Sequence, residues 1–262
     1  MSIFKNGIVS FSIDDGSEDG YRLYKLLSRY GICGTYNIVT SWIGREGYMT
    51  VDQLAEIYSD PMMEIACHGY SHKNDDEDIL RGNAQLEEWF GRARNGSIGF
   101  ASPGSAMKKP FVLENERHLR EDLGLLYVRS CYDTDIDDRR RELIELYRAK
   151  GASEDITKRM IPQLIYRFSG IFVPSMALYL HTELDDMKTA VDLAAQEKAC
   201  AIFMLHRVKK QGEDNYDDKY NFDYDKLEAF LQYIKRGMDR GELETFTTRG
   251  AFELGRRCTP GA

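Results

Sequence analysis

Residues 7–16 read Gly-Ile-Val-Ser-Phe-Ser-Ile-Asp-Asp-Gly, a short apolar run that ends in two carboxylates and a glycine. Gly7 to Ile13 reads as a strand, and Asp19 to Tyr30 then places Tyr21, Leu23, Tyr24, Leu26 and Leu27 at helical spacing. The same alternation continues outward from this unit. Ile32 to Val39 is a second strand, and Thr50 with Gln53 fits a capping box that opens a second helix. Met63 to Cys67 and Asp78 to Arg94 repeat the unit, as do Ile98 to Ser102 and Val112 to Asp122. Leu126 to Cys131 is a fifth strand.

After a charged helical stretch, Asp137 to Phe168, with Gly151 between two helices, strands resume at Ile171 to Leu180 and Cys200 to Leu205. Helices at Leu184 to Ala199 and Tyr224 to Asp239 and a strand at Leu243 to Thr247 complete the pattern. Repeated strand–helix units predict a parallel sheet with helices outside it, and seven or eight of them favour a closed barrel over an open sheet. The 137–168 segment reads as an insertion in a strand-to-helix loop, either a packed surface helix pair or a lid. No linker or internal repeat divides the chain, so residues 1–262 are expected to form one catalytic domain.

The 262 residues carry a formal charge of -8. That balance argues against non-specific binding of nucleic acid or an anionic membrane. The five cysteines (33, 67, 131, 200 and 258) are dispersed without a C-x-x-C pair, as expected of reduced thiols. With neither a signal peptide nor a transmembrane run visible, a cytoplasmic location is expected.

In a parallel barrel the active site lies at the carboxyl ends of the strands. Four of the five histidines, His68, His72, His181 and His206, fall at that edge. Asp14-Asp15-Gly16 is also ordinary turn chemistry, but adjacent carboxylates at a strand end are relieved by a cation or a shared proton. His68 and His72, at i and i+4, have the spacing that clasps one divalent ion. A carboxylate from a neighbouring strand end would complete two nitrogens and one oxygen, with positions left open for water and substrate. Zinc fits such a set, and cobalt, manganese, nickel and iron are compatible with it. His206, which follows the apolar strand 201–205, is either a core histidine or, beside a metal cluster, a general acid. His118 sits in a charged helix with no catalytic role expected, and His181 reads equally as a substrate contact or a helix cap.

Phe11-Ser12-Ile13-Asp14-Asp15-Gly16, His68-Gly69-Tyr70-Ser71-His72, Phe100-Ala101-Ser102-Pro103-Gly104 and Leu205-His206 resemble, in order, the motifs of the polysaccharide deacetylases, the NodB-homology proteins of carbohydrate esterase family 4. The resemblance spans roughly residues 7 to 250. It implies a distorted, seven-stranded (β/α) barrel, a divalent metal and removal of an N-acetyl group from an amino sugar or N-acetylated saccharide, with surface-polysaccharide biosynthesis as a setting. By the same match Asp14 is the base, Asp15, His68 and His72 are the metal ligands and His206 is the general acid. The oxyanion donor is expected at the Gly104 N–H. Two departures stand out. Ala101 and Gly104 occupy positions where the family often has an arginine and an aromatic residue, and Arg129-Ser130-Cys131-Tyr132-Asp133 replaces the family's aromatic signature on the fifth strand. Arg129 is expected to supply the missing cation near Asp14. Competing readings are hydrolysis of a cyclic amide or ureide on the same scaffold, a non-heme iron oxygenase, and a non-catalytic carbohydrate-binding protein.

Overall fold

The computed structural model describes residues 2–91 and 98–257. Its elements run in chain order as β1 (Gly7–Ile13), α1 (Glu18–Tyr30), β2 (Gly34–Ile38), α2 (Val51–Ser59), β3 (Met63–Cys67), α3 (Asp76–Phe90) and β4 (Ile98–Ala101). Next come α4 (Lys109–Glu114), α5 (Glu116–Glu121), β5 (Leu125–Cys131), α6 (Asp138–Ala149), β6 (Phe172–Ala177) and α7 (Leu184–Glu197). The chain ends with β7 (Cys200–Leu205), β8 (Arg207–Lys209), β9 (Asn221–Asp223), α8 (Tyr224–Asp239), β10 (Leu243–Thr245) and α9 (Thr248–Arg257). Strands β1 to β7 pair in sequence order, all parallel, and β1 pairs back with β7 from Ile8↔Cys200 to Ile13↔Leu205. This closes a seven-stranded barrel with helices around it.

The closure is uneven. At the amino half of β1 the neighbour is β10, from Gly7↔Leu243 to Val9↔Thr245, and β2 takes over that edge only from Phe11↔Gly34. Between β3 and β4 the ladder shrinks to Cys67↔Phe100. The outward faces of the strands pack on helices, as where Phe11 and Phe203 of adjacent strands both meet Phe230 of α8. Alternating inward positions carry polar groups, among them Thr35, Asn37, Glu64 and Arg129, all buried.

The amino end of the barrel is plugged by α9. Its Thr248 N–H donates to Thr35 Oγ1 at 2.8 Å and its Arg249 N–H to Glu64 Oε2 at 2.9 Å. Thr35 Oγ1 and the Tyr127 hydroxyl also donate to Glu64, each at 2.9 Å. Burial pushes the Glu64 carboxyl above the usual range, although the Arg249 N–H and guanidinium, Tyr127 and Thr35 oppose that rise.

Several sequence expectations shift in detail. The helix expected over Val112 to Asp122 breaks at Asn115 into α4 and α5. The sixth strand stops at Ala177, so His181 lies in a turn beyond it. The third helix ends at Phe90, and residues 92–94 of the expected span lie outside the described residues. The 137–168 segment makes up most of the connection from β5 to β6, residues 132–171. It comprises α6, Gly151 at φ 75°, a π turn over Asp155–Met160 and a 3-10 turn over Ile161–Gln163. Among the described residues no helix is long and apolar enough to cross a membrane.

Candidate metal centre and active-site cavity

At the carboxyl end of the barrel a cavity of about 420 Å³ is lined by Asp14, Asp15, His68, His72, Gly104 and His206. These residues come from the ends of β1, β3, β4 and β7, which parallel closure brings to one rim. Asp15, His68 and His72 each turn one ligand atom toward the others, all within 4.8 Å. Asp15 Oδ1 lies 3.6 Å from His68 Nε2 and 3.8 Å from His72 Nε2.

The chemistry of this set fits a cation. Asp15 Oδ1 is buried and has no hydrogen-bond partner, a costly state for a carboxylate oxygen unless a metal or water meets it. His68 Nδ1 is 2.7 Å from the Ala101 carbonyl, which accepts only if that nitrogen carries the proton. His68 Nε2 is then the lone-pair nitrogen that faces Asp15. Burial lowers the His68 pKa, and the charges of Asp14 and Asp15 offset this only in part, so the ring is held neutral, as a ligand must be.

His72 sits on a loop pinned by Asp78 of α3. The Asp78 carboxylate accepts from the Ser71 and Lys73 N–H groups at 3.0 Å and from Ser71 Oγ at 2.6 Å. Burial raises the Asp78 pKa, but these donors outweigh it and hold the carboxyl below the usual range. Gly69 explains itself here: its φ is 83°, and a Cβ would stand 2.5 Å from Asp78 Oδ2.

Asp14 is 2 % exposed and is held from below. Arg129 Nη2 and Asn37 Nδ2 both donate to its Oδ1, the amide at 2.8 Å. Asp14 Oδ2 is the oxygen nearer the cluster, 3.9 Å from His68 Nε2. Burial pushes the Asp14 carboxyl up, yet Arg129, His68 and His206 together hold it below the ordinary value. Arg129 itself is 1 % exposed and does not line the cavity.

Gly104 is on the wall with φ 58°; the turn there is closed by the Ser105 and Ala106 N–H groups, not by its own. His206 reaches the cavity with a buried Nδ1 that has no partner, and its ring meets Tyr220 at 5.5 Å. His181 is exposed, stacks on Tyr179 and lies 3.3 Å from Arg159 Nη1, outside the lining. His118 is on the surface between Asp122 and Asp76, which raise its pKa.

No residue of 137–168 lines the cavity. The lining also includes Cys131, Tyr132, Tyr179 and Met204, and Arg207, Asp218 and Tyr220 from the β7–α8 connection. Of the six described non-glycine residues at positive φ, Asp15, His72, Ser105 and Tyr132 line this one cavity. Sequence reasoning missed Asn37 and Asp78, and named Tyr132 only within the segment 129–133. Only Asn37, a lone amide inside the apolar strand 32–39, carried a signal that could have found it.

Residues 3–119 match the family model described as polysaccharide deacetylase. The resemblance read from the motifs therefore holds over that part of the chain. No curated protein matches. Among solved structures, a polysaccharide deacetylase from Bacillus cereus is 11% identical, with a TM-score of 0.46 over 69% of this chain and 50% of that one. This chain thus spans half of that protein's length. A family 4 acetyl xylan esterase from Clostridium thermocellum, in complex with a cobalt ion, is 14% identical, with a TM-score of 0.49 over 94% of this chain and 89% of that one. The peptidoglycan deacetylase PdaC from Bacillus subtilis is 12% identical, with a TM-score of 0.46 over 97% and 93%.

Proposed function

We propose that this chain, with its polysaccharide-deacetylase match over residues 3–119, is a metal-dependent hydrolase that removes an N-acetyl group from an amino sugar or N-acetylated saccharide. The observation that carries this reading is the orphaned Asp15 Oδ1 facing two imidazole nitrogens, with Asp14 beside it in the same cavity. Asp15, His68 and His72 would hold a divalent ion, zinc by preference, with cobalt, manganese, nickel or iron as substitutes. Such an ion supplies Lewis acidity toward a carbonyl oxygen and toward a water.

The remaining steps belong to the chain's own groups. Asp14 Oδ2 takes the proton of the attacking water, while Arg129 and Asn37 keep Oδ1 occupied. The Gly104 N–H is assigned to the oxyanion of the tetrahedral intermediate. His206 gives a proton to the departing amine, and acetate remains as the second product. Residues 1–262 act as one catalytic domain in this reading. A cytoplasmic location fits the free thiols of Cys33, Cys67, Cys131 and Cys200.

The test is acetate release from a panel of N-acetylated sugars, oligosaccharides and nucleotide sugars, with chelated enzyme and Asp14→Asn as controls. Release that disappears in both controls supports the reading. No release from any compound by zinc-loaded protein would overturn it in favour of another amide or a binding role.

A further inference from the structure

Arg207 contributes the one guanidinium of the cavity lining, and it is half-buried there. Among the described residues it makes no hydrogen bond and no ion pair. The two arginines that are buried among the described residues are committed, Arg129 to Asp14 and Arg140 to the carbonyls of Pro162 and Asp135. A guanidinium carries five donors in one plane, and in a partly dry site they ordinarily meet an anion or carbonyls. Arg207 meets none supplied by the protein.

Its surroundings add charge of the same sign. Tyr132 and Tyr220 stand at the cavity, 42% and 45% exposed. Lys108 Nζ lies 5.1 Å from the Tyr132 ring centroid and Lys219 Nζ 4.8 Å from that of Tyr220. Neither lysine has a carboxylate partner among the described residues. Two of the three lining carboxylates are engaged, and the third, Asp218, has only a backbone contact. Asp14 is bound by Arg129, Asp15 belongs to the metal set, and Asp218 Oδ1 accepts from the Tyr220 N–H at 2.9 Å. One cation without a carboxylate partner thus stands in the lining, and two more stand beside tyrosines of that lining.

We propose that Arg207 reads an anionic substituent, a phosphate or a uronate carboxylate, on the saccharide whose acyl group enters the cavity, with Lys108 and Lys219 drawing it to the mouth. The fork of the guanidinium suits two oxygens of either group, and the tyrosine faces beside it suit a sugar ring. The orientation of the saccharide rests on the deacetylase reading; the anion subsite itself does not.

Calorimetric titration of the zinc-loaded protein with glucosamine 1-phosphate, a glucosamine–glucuronate disaccharide and methyl glucosaminide tests the subsite. At low ionic strength the favoured anionic sugar should bind about tenfold more tightly than the neutral one, as one charge-assisted contact allows. Added salt should shrink that advantage. Arg207→Gln should abolish it and Arg207→Lys keep part of it, with zinc content and thermal midpoint checked in each. Preference for the phosphate or for the uronate names the source of the anion. Equal binding of all three sugars, or a preference that Arg207→Gln leaves intact because the metal alone holds the anion, would overturn the proposal. Acetate release is measured in parallel on the N-acetylated counterparts. An anion preference without any release sinks the deacetylase reading and leaves the subsite standing, and release without preference does the reverse.

Discussion

Arg129 and Asp14 form a buried ion pair across the barrel interior, in which the guanidinium Nη2 and the Asn37 amide both donate to one carboxylate oxygen, Oδ1. The other oxygen is left to the side of His68. The pair joins the carboxyl ends of β1 and β5, two strands that do not neighbour each other in the sheet.

Arg129→Met should therefore lower kcat by roughly a hundredfold, the scale of losing a positioned base, with KM changed little. The sign of the pH effect follows from the same contact. Arg129 is the largest of the influences that hold the Asp14 carboxyl down against burial. Without it the pKa rises, and the acid limb of kcat/KM moves to higher pH. Arg129→Lys should restore part of the rate, and Asn37→Ala should cost less than Arg129→Met. A pH–rate profile of Arg129→Met that overlays the wild type would refute this assignment.

Asp78 acts on the metal set at one remove. It bonds the N–H groups of Ser71 and Lys73 on either side of His72, which is held at φ 67°. Asp78→Ala frees that loop and leaves Asp15 and His68 in place. Zinc affinity, read by competition with a chromophoric chelator, should fall by about 10- to 100-fold, as for other outer partners of metal ligands. Unchanged affinity would mean the loop keeps its shape without the carboxylate.

Legibility in the sequence followed element length. The seven barrel strands showed because each is a largely apolar run set off by a helix or turn; Asp14, Asp15, His68 and His206 showed because they stand at the ends of such runs, and His72 because it is four residues beyond His68. The paired strands β8 and β9 have three residues each, too few to display an alternation, so the wall that carries Arg207, Asp218 and Tyr220 went unread. Helix α9 was missed because Gly250 and Gly255 interrupt a short and charged segment. Its burial depends on Phe168 and Tyr127, which come from distant parts of the chain. Asp78 was invisible for a similar reason, since its role rests on a loop contact that only tertiary structure supplies.

Glu64 makes the barrel plug sensitive to pH. Its carboxyl is buried and its folded pKa raised, so the folded state holds the proton more firmly than the unfolded chain does. The stability this contributes is fully present below the unfolded value of about 4.3 and is lost as pH rises through the folded pKa. Glu64→Gln keeps the shape and carries no charge. The thermal midpoint of Glu64→Gln relative to wild type should thus improve from acid toward neutral pH. A difference that stays constant across that range would show that Glu64 does not titrate in this way.

His206 is assigned to protonate the leaving amine, and the demand for that proton depends on the leaving group. A sugar amine cannot depart as its anion, whereas 4-nitrophenolate departs unaided. His206→Ala should then lower deacetylation of an N-acetylated sugar by roughly a hundredfold or more, the usual scale for a general acid. Hydrolysis of 4-nitrophenyl acetate by the same zinc-loaded variant should change far less. This contrast separates proton donation from packing, because the ring also supports Tyr220 at 5.5 Å and its loss could loosen the cavity wall. A loosened wall would slow both substrates together. Equal losses on the amide and the activated ester would remove His206 from the acid role and leave it as a wall residue.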